Sequence, residues 1–313
     1  MKNNLIVLTG PTSAGKTNLS LALARRTNGE IISADSIQVY KGLDIGSGKI
    51  TKEEMGDVPH HLIDICDPKE EFNIKIFQEK AKEAIEDILA RGKLPIIVGG
   101  TGFYIQSVLY DTDFSKDDSG GEYRVYLEDV AKTKGKEYLH ECLNKIDPVT
   151  AQKTHFNNVK RVIRALEFYH LTGQPISEHN EQQHQKESPY RFCYFVLNEK
   201  RELLYQKIEQ RVDQMIEAGL VDEVKALKEA GCEIDMTSMQ GLGYKEIYRY
   251  LLGDCTLDEA VYTIKRDTRH FAKRQLTWFR REKEVIWLNR YEYDGEEAIL
   301  EEILKQMKRK QIL

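Results

Sequence analysis

An α/β fold, in which a parallel sheet flanked by helices is interrupted by a helical insertion, is predicted for this 313-residue chain by three observations. A glycine-rich turn, GPTSAGKT, stands between an apolar run and a helical stretch. Short apolar runs then alternate with helically spaced ones through the first hundred residues, the pattern of βαβ units. From about Ser115 the composition turns polar and helical, and strand character resumes only after Glu187.

The elements follow in order. LIVLTG (5–10) is a buried strand ending in the turn, and TNLSLALARR (17–26) is the helix after it. EIISAD (30–35) reads as a second strand, and HHLIDI (60–65), less apolar, as a third. Residues 73–91 carry Ile76, Phe77, Ala81, Ala84, Ile85 and Ile88 at helical spacing, and LPIIVGGTG (94–102) is a fourth strand ending in glycines. DFSKDDSGGEYR (113–124) has linker composition. RFCYFVLN (191–198) restores strand character, followed by amphipathic helices over 201–229 and 256–281 and a last strand, VIWLN (285–289). The organisation expected is a P-loop NTPase-like core over 1–114 and 190–313 with a helical insertion domain over 115–189.

Composition narrows the function classes. Hydrophobic residues at 41% and charged residues at 31% describe a soluble globular chain, and no run approaches the roughly 18 apolar residues of a membrane span. Met1–Asn4 leads straight into a strand, without the apolar run of a signal peptide, so a cytoplasmic address and no membrane partner are expected, with a monomer as the default state. Five cysteines without a C-x-x-C pair read as reduced structural thiols. The net charge of −5 argues against nucleic acid. Yet residues 265–284 hold eight basic against three acidic side chains, a local excess of +5 suited to a polyanion.

GPTSAGKT matches the P-loop pattern with a strand before it and a helix after it. Gly10, Pro11, Thr12, Ser13, Ala14, Gly15, Lys16 and Thr17 therefore form the expected diphosphate or nucleotide cradle. Backbone amides and the helix N-terminus face the phosphates, Lys16 supplies a point charge, and the Thr17 hydroxyl is the expected ligand of Mg2+. Nucleotide-hydrolysing P-loop proteins place an acid after a later strand. Here that strand ends in glycines and Thr101, and the acid, Asp35, closes the second strand instead. Spacing alone leaves Asp35 open between a role toward an acceptor, a helix cap and a metal ligand through water. Arg266, Arg269, Lys273 and Arg280 recur along one helix face, while Ile264, Phe271 and Trp278 mark another. Lys160, Arg161 and Arg164 in KRVIR would by themselves be ordinary surface charges, and His60 and His61 read as structural.

Taken in succession, GPTSAGKT, ISADSIQVYKGLDIGSGK (32–49), VPHHLIDICDP (58–68), VGGTGFY (98–104), NNVKRVIRALE (157–167) and KRDTRHFAKRQLTWFRR (265–281) resemble the motifs of the tRNA dimethylallyltransferases. The resemblance spans nearly the whole chain. It implies transfer of a five-carbon unit from dimethylallyl diphosphate to the exocyclic amine of the adenosine 3′ of the anticodon, in tRNAs reading codons that begin with U, so that the P-loop holds a leaving group. It implies Lys16 and an arginine on the helix after the insertion at the diphosphate, Arg211 or less readily Arg201, where charge develops in the transition state. It also implies Asp35 as proton acceptor from the amine, with Ser36, Ile37 and Gln38 beside the adenine and Thr101 in the channel between donor and acceptor, a role compatible with capping the helix after it. The adenosine must leave its stack to be reached. Lys160, Arg161, Arg164, Arg266, Arg269, Lys273 and Arg280 are then the implied grips on the anticodon stem-loop, with GLGYKE (241–246) near the RNA. Ser13-Ala14 reverses an order common in that family, of small consequence where backbone amides bind. The competing readings are a small-molecule or nucleoside kinase, prenyl transfer to a free adenine nucleotide, and a P-loop RNA-binding protein without catalysis.

Overall fold

The structure, a computed structural model, describes residues 2–114 and 121–313 apart from the His184 side chain. Contacts divide the chain into two compact units, Met1–Leu109 with Pro189–Leu313, and Tyr110–Ser188.

The first unit runs β1 (Asn3–Thr9), α1 (Lys16–Thr27), β2 (Gly29–Ala34), α2 (Lys52–Met55), β3 (His60–His61), α3 (Ile74–Ala90), β4 (Leu94–Gly99) and α4 (Gly102–Leu109). The second holds α5 (Glu122–Thr133), α6 (Lys136–Ile146), α7 (Pro148–Lys153), α8 (Val159–Thr172) and α9 (Ile176–Gln185). The chain returns to the first unit through β5 (Tyr190–Asn198), α10 (Arg201–Glu217), α11 (Leu220–Glu229), α12 (Tyr244–Leu252), α13 (Leu257–Phe279), β6 (Val285–Asn289) and α14 (Gly295–Arg309).

Six strands in the order β3-β2-β4-β1-β5-β6 form one sheet in which every neighbouring pair is parallel. This is a P-loop NTPase-like arrangement. A parallel sheet covered on both faces needs uninterrupted apolar strands, and Leu5, Ile6, Val7 and Leu8 of β1 are all fully buried. Leu19 and Leu23 of α1 join Ile299, Ile303 and Met307 of α14 in the cluster packed on this sheet. Thr9 and Ala34 both lie opposite Gly99 in the ladder, so β1, β2 and β4 end level with one another.

The second unit has its own core, in which Leu139 and Leu143 of α6 pack with Val162, Ile163 and Leu166 of α8. Glu167, buried on α8, accepts charge-assisted hydrogen bonds from Arg124 of α5 at 2.8 and 2.5 Å. Asp147 caps α7 by accepting from the Thr150 N–H at 2.9 Å, and also accepts from the Ser177 N–H of α9 at 2.9 Å.

Several sequence expectations change. The helix expected over 201–229 is two helices, because Gly219 adopts a left-handed backbone (φ 100°) that ends α10 and starts α11. The third strand shrinks to His60–His61, since Leu62 and Asp64 have positive φ and leave the ladder. The linker 113–124 falls partly at 115–120, outside the described residues, and its last three residues belong to α5. Helix α14 adds an element beyond the last expected strand. Among the described residues no helix is long and apolar enough to cross a membrane, and all five cysteines are free.

Candidate active site

The level ends of β1, β2 and β4 deliver three loops to one place, the carboxyl edge of a parallel sheet where ligands of open α/β folds bind. After β1 comes the P-loop. Ser13 (φ 62°) and Gly15 (φ 83°) are left-handed on either side of Ala14, a sign alternation that turns successive N–H groups to one side as an anion nest. Gly15 is the N-cap of α1 and has no side chain to satisfy the first-turn amides, which therefore face outward. The buried Ser13 Oγ has no hydrogen-bond partner among the described residues. Lys16 donates through Nζ to the carbonyls of Gly10 (3.0 Å) and Pro11 (2.9 Å). Burial, then the positive charge of Arg211, lower its pKa to about 8, against the opposing attraction of Asp35.

After β2 comes Asp35. Its Oδ1 accepts from the N–H groups of Ile37 (2.9 Å) and Gln38 (3.3 Å), which holds the 35–38 turn; no helix follows, so Asp35 braces a turn and not the helix that the capping reading expected. Its Oδ2 makes no hydrogen bond among the described residues, so one carboxylate oxygen is structural and the other is available. Gln38 accepts from the Ser33 hydroxyl at 3.1 Å and turns Nε2 toward the carbonyls of Ser47 and Gly48, both at 3.4 Å. Ser36 and Ile37 are half-buried in the same turn.

After β4 comes Thr101. Its N–H donates to the Ala34 carbonyl at 3.2 Å, which fixes it beside Asp35. Its carbonyl, not its hydroxyl, accepts from Tyr104 and Ile105, so no side-chain cap forms among the described residues.

Arg211, on α10, closes the group. Its Nη2 lies 3.4 Å from the Ser47 carbonyl and against Gly48, where a Cβ would approach it to 1.7 Å. Only glycine leaves room for this guanidinium. Burial lowers the pKa of Arg211 and Asp35 opposes the shift. Arg201, by contrast, stacks over the Tyr205 ring at 5.1 Å on the same helix.

The loop that carries Ser47 and Gly48 is braced by a group absent from the sequence expectations. Glu223 of α11 accepts from the backbone N–H groups of Asp44 (3.1 Å), Ile45 (2.7 Å) and Gly46 (3.1 Å), and from the Tyr244 hydroxyl at 2.7 Å. Tyr244 Oη in turn accepts from the Ser47 N–H at 3.1 Å. Burial and the Glu223 carboxylate push the Tyr244 pKa upward, keeping the phenol protonated. GLGYKE thus acts here through a fully buried tyrosine.

The glycine run after β4 also finds its reason. Trp278 of α13 lies over Gly102, where a Cβ would meet its indole at 2.2 Å, and packs edge-on to Phe103 with ring centroids 6.0 Å apart. Gln275, one turn earlier, reaches both Gly100 and Thr12.

The expected basic stripe divides. Arg269 pairs with Glu209 at 2.6 Å and Arg266 with Asp267 at 2.7 Å. Lys273 and Arg280 have no ion-pair partner among the described residues. A cleft of about 470 Å³ is lined by His270, Lys273, Arg274, Thr277, Trp278 and Arg281, sharing only Lys273 with the expected stripe. Ile264 is buried, but Ala272, Gln275 and Phe279 are the buried face of the later turns, whereas Phe271 and Trp278 are half-buried. In the second unit Lys160 and Arg161 are exposed at the start of α8 and Arg164 is half-buried.

For a metal the described residues offer no group of three His, Cys, Asp or Glu side chains. His60 and His61 are engaged with the Val58 carbonyl and Glu30, both within 3 Å. The exposed Thr17 hydroxyl at the start of α1 fits a cation that takes its remaining ligands from phosphate and water, the habit of Mg2+.

Comparison with known proteins identifies the family. The IPP transferase family model matches residues 38–282, and an isopentenyl transferase model matches residues 3–66. The tRNA dimethylallyltransferase of Lachnoclostridium phytofermentans is 58% identical over 309 residues, covering 99% of both chains. The solved structure of the full-length tRNA isopentenylpyrophosphate transferase of Bacillus halodurans is 45% identical with a TM-score of 0.75, covering 99% of this chain and 98% of that one. A eukaryotic dimethylallyltransferase, solved while acting on tRNA, is 32% identical with a TM-score of 0.78, covering 92% of this chain and 74% of its own.

Proposed function

The chain belongs to the IPP transferase family, and from that premise we infer that it transfers a dimethylallyl group to tRNA with release of diphosphate. The observation that carries this reading is the convergence, at the level ends of β1, β2 and β4, of an anion nest, an aspartate with one unengaged oxygen and a half-buried arginine. The finer reading is that the acceptor is the exocyclic amine of the adenosine 3′ of the anticodon, in tRNAs for codons beginning with U, and the donor dimethylallyl diphosphate.

Breaking the allylic carbon–oxygen bond concentrates negative charge on the departing diphosphate. The nest amides of 13–17, Lys16 and Arg211 meet that charge and stabilise it more than the ground state. The adenine amine loses a proton as the new bond forms at carbon, and Asp35 Oδ2 accepts it while Oδ1 keeps the carboxylate in place. Thr101, tied to Ala34, stands beside the path from donor to acceptor. Mg2+, when bound, would be held by the Thr17 hydroxyl and the diphosphate and would supply further charge neutralisation. Lys273, Arg280 and the cations of the cleft bind the anticodon stem-loop, with Arg266, Arg269, Lys160, Arg161 and Arg164 as outer contacts. The protein works as a monomer in the cytoplasm.

The test is incubation with dimethylallyl diphosphate, Mg2+ and an anticodon stem-loop, followed by mass analysis of the RNA. The expected result is one five-carbon addition at the adenosine beside the anticodon. In parallel incubations, phosphorylated nucleoside formed from ATP and a nucleoside, or free adenine nucleotide prenylated while the RNA stays unmodified, would return the kinase or free-nucleotide readings, which relatives named for tRNA do not favour.

A further inference from the structure

Gln275 is 6% exposed and sits in the middle of the basic stretch of α13, between Lys273 and Arg274 on one side and Thr277 and Trp278 on the other. Its Oε1 accepts from the Thr12 N–H of the P-loop at 2.9 Å, and its Nε2 donates to the Gly100 carbonyl at 2.9 Å. The orientation is forced, because a backbone N–H only donates and a carbonyl only accepts. Gly100 is shaped for this contact: a Cβ there would come within 2.2 Å of Nε2. One amide thus binds three elements: the P-loop, the turn that carries Thr101, and the helix whose neighbouring cations line the cleft. Thr12, the residue it holds in the P-loop, directly precedes the nest formed by Ser13 and Gly15.

We propose that Gln275 is a positioning residue that couples RNA docking on α13 to diphosphate binding in the P-loop. The proposal rests on the function inferred above. Phosphates drawn onto Lys273, Arg274 and Arg281 settle the helix, and Gln275 passes that settlement to the backbone on both sides of the diphosphate. By linkage the influence runs both ways, so diphosphate tightens the RNA by the same factor.

The test measures inorganic diphosphate binding to the full chain with Mg2+ by calorimetry, with and without an anticodon stem-loop. In the wild type the stem-loop tightens diphosphate about fivefold or more, the lower end of common coupling strengths. Gln275→Met, similar in volume but without either hydrogen bond, binds the stem-loop within about twofold of wild type, while the coupling factor falls to about one. A merely structural residue would weaken both affinities and leave their ratio. A second measurement needs no variant: amide exchange at Thr12 in the wild type slows when the stem-loop binds. Coupling absent from the wild type, coupling retained in Gln275→Met, or Thr12 exchange indifferent to RNA overturns the proposal. A wild type that fails to prenylate the stem-loop sinks the function itself, whereas one that prenylates it without coupling sinks only the role of Gln275.

Discussion

At the ends of β1, β2 and β4 and in the loop beside them, position is held by side chains bonded to backbone: Gln275 fixes Thr12 and Gly100, Asp35 Oδ1 fixes its own turn, and Glu223 holds three consecutive N–H groups of the 44–46 loop. Along α13 the cations are long side chains, some tied to acids such as Glu209 and Asp267 and others with no ion partner among the described residues. Under the proposed function the contrast follows from the task. Charge that develops over fractions of an ångström needs donors that do not reorganise, whereas a phosphate backbone is gripped by screened, adjustable charges.

Substitutions separate the two kinds of construction. Asp35→Asn is the largest expected loss, about 10²- to 10⁴-fold in single-turnover prenyl transfer with stem-loop affinity within about twofold, because its amide oxygen still accepts from Ile37 and Gln38 while the proton acceptor is removed. Equal loss of binding and turnover would place Asp35 on the RNA side of the contrast. Next comes Glu223→Ala, which strands three backbone donors and the Tyr244 hydroxyl. It should lower stability by about 1–3 kcal/mol in denaturant unfolding and reduce turnover through the displaced Ser47 and Gly48 carbonyls. Unchanged turnover would detach that loop from the diphosphate end.

A pH series probes Lys16. Its folded pKa, lowered from 10.5 to about 8, means the folded protein sheds this proton before the unfolded chain does. This residue's contribution to stability therefore rises between about 8 and 10.5, while donor affinity falls over the same range as the ammonium is lost. A donor KM that is flat from pH 7 to 9.5 would remove Lys16 from the diphosphate. The smallest effects belong to single RNA-side charges. Lys273→Ala should weaken the stem-loop a few-fold and lower the salt slope by about 1, and Arg269→Ala less, since Glu209 already occupies it. Equal slopes for the two would erase the distinction between paired and unpaired cations.

The legible parts of this molecule are those written in contiguous residues. Gly10–Thr17 between a strand and a helix specified both the turn and its position, and the apolar runs marked five of the six strands closely. Asp35 was visible as an acid closing a buried strand, but its split between a structural and a free oxygen depends on the Ile37 and Gln38 amides and emerges only in three dimensions. Gln275 and Glu223 stayed hidden because their partners lie far off in sequence: Gly100 is 175 positions from Gln275, and Ile45 is 178 from Glu223. A periodic pattern runs on through Gly219 although the backbone does not. Helix α14 lies at the other extreme, since Ile299, Leu300, Ile303, Leu304 and Met307 stand at helical spacing and local periodicity suffices to mark it, although no helix was expected there.

The sheet order has a bearing on birth as well as on the finished molecule. Strand β1 is made first, yet one of its two neighbours, β5, begins only at Tyr190, with the whole of Tyr110–Ser188 synthesised in between. A ribosome adding roughly 5–20 residues per second leaves that edge waiting for several seconds or longer. During that interval Leu5–Leu8, wholly buried later, lack the strand that will cover them on one side, so the nascent chain carries an adhesive border that the helical unit, folding on local contacts, does not.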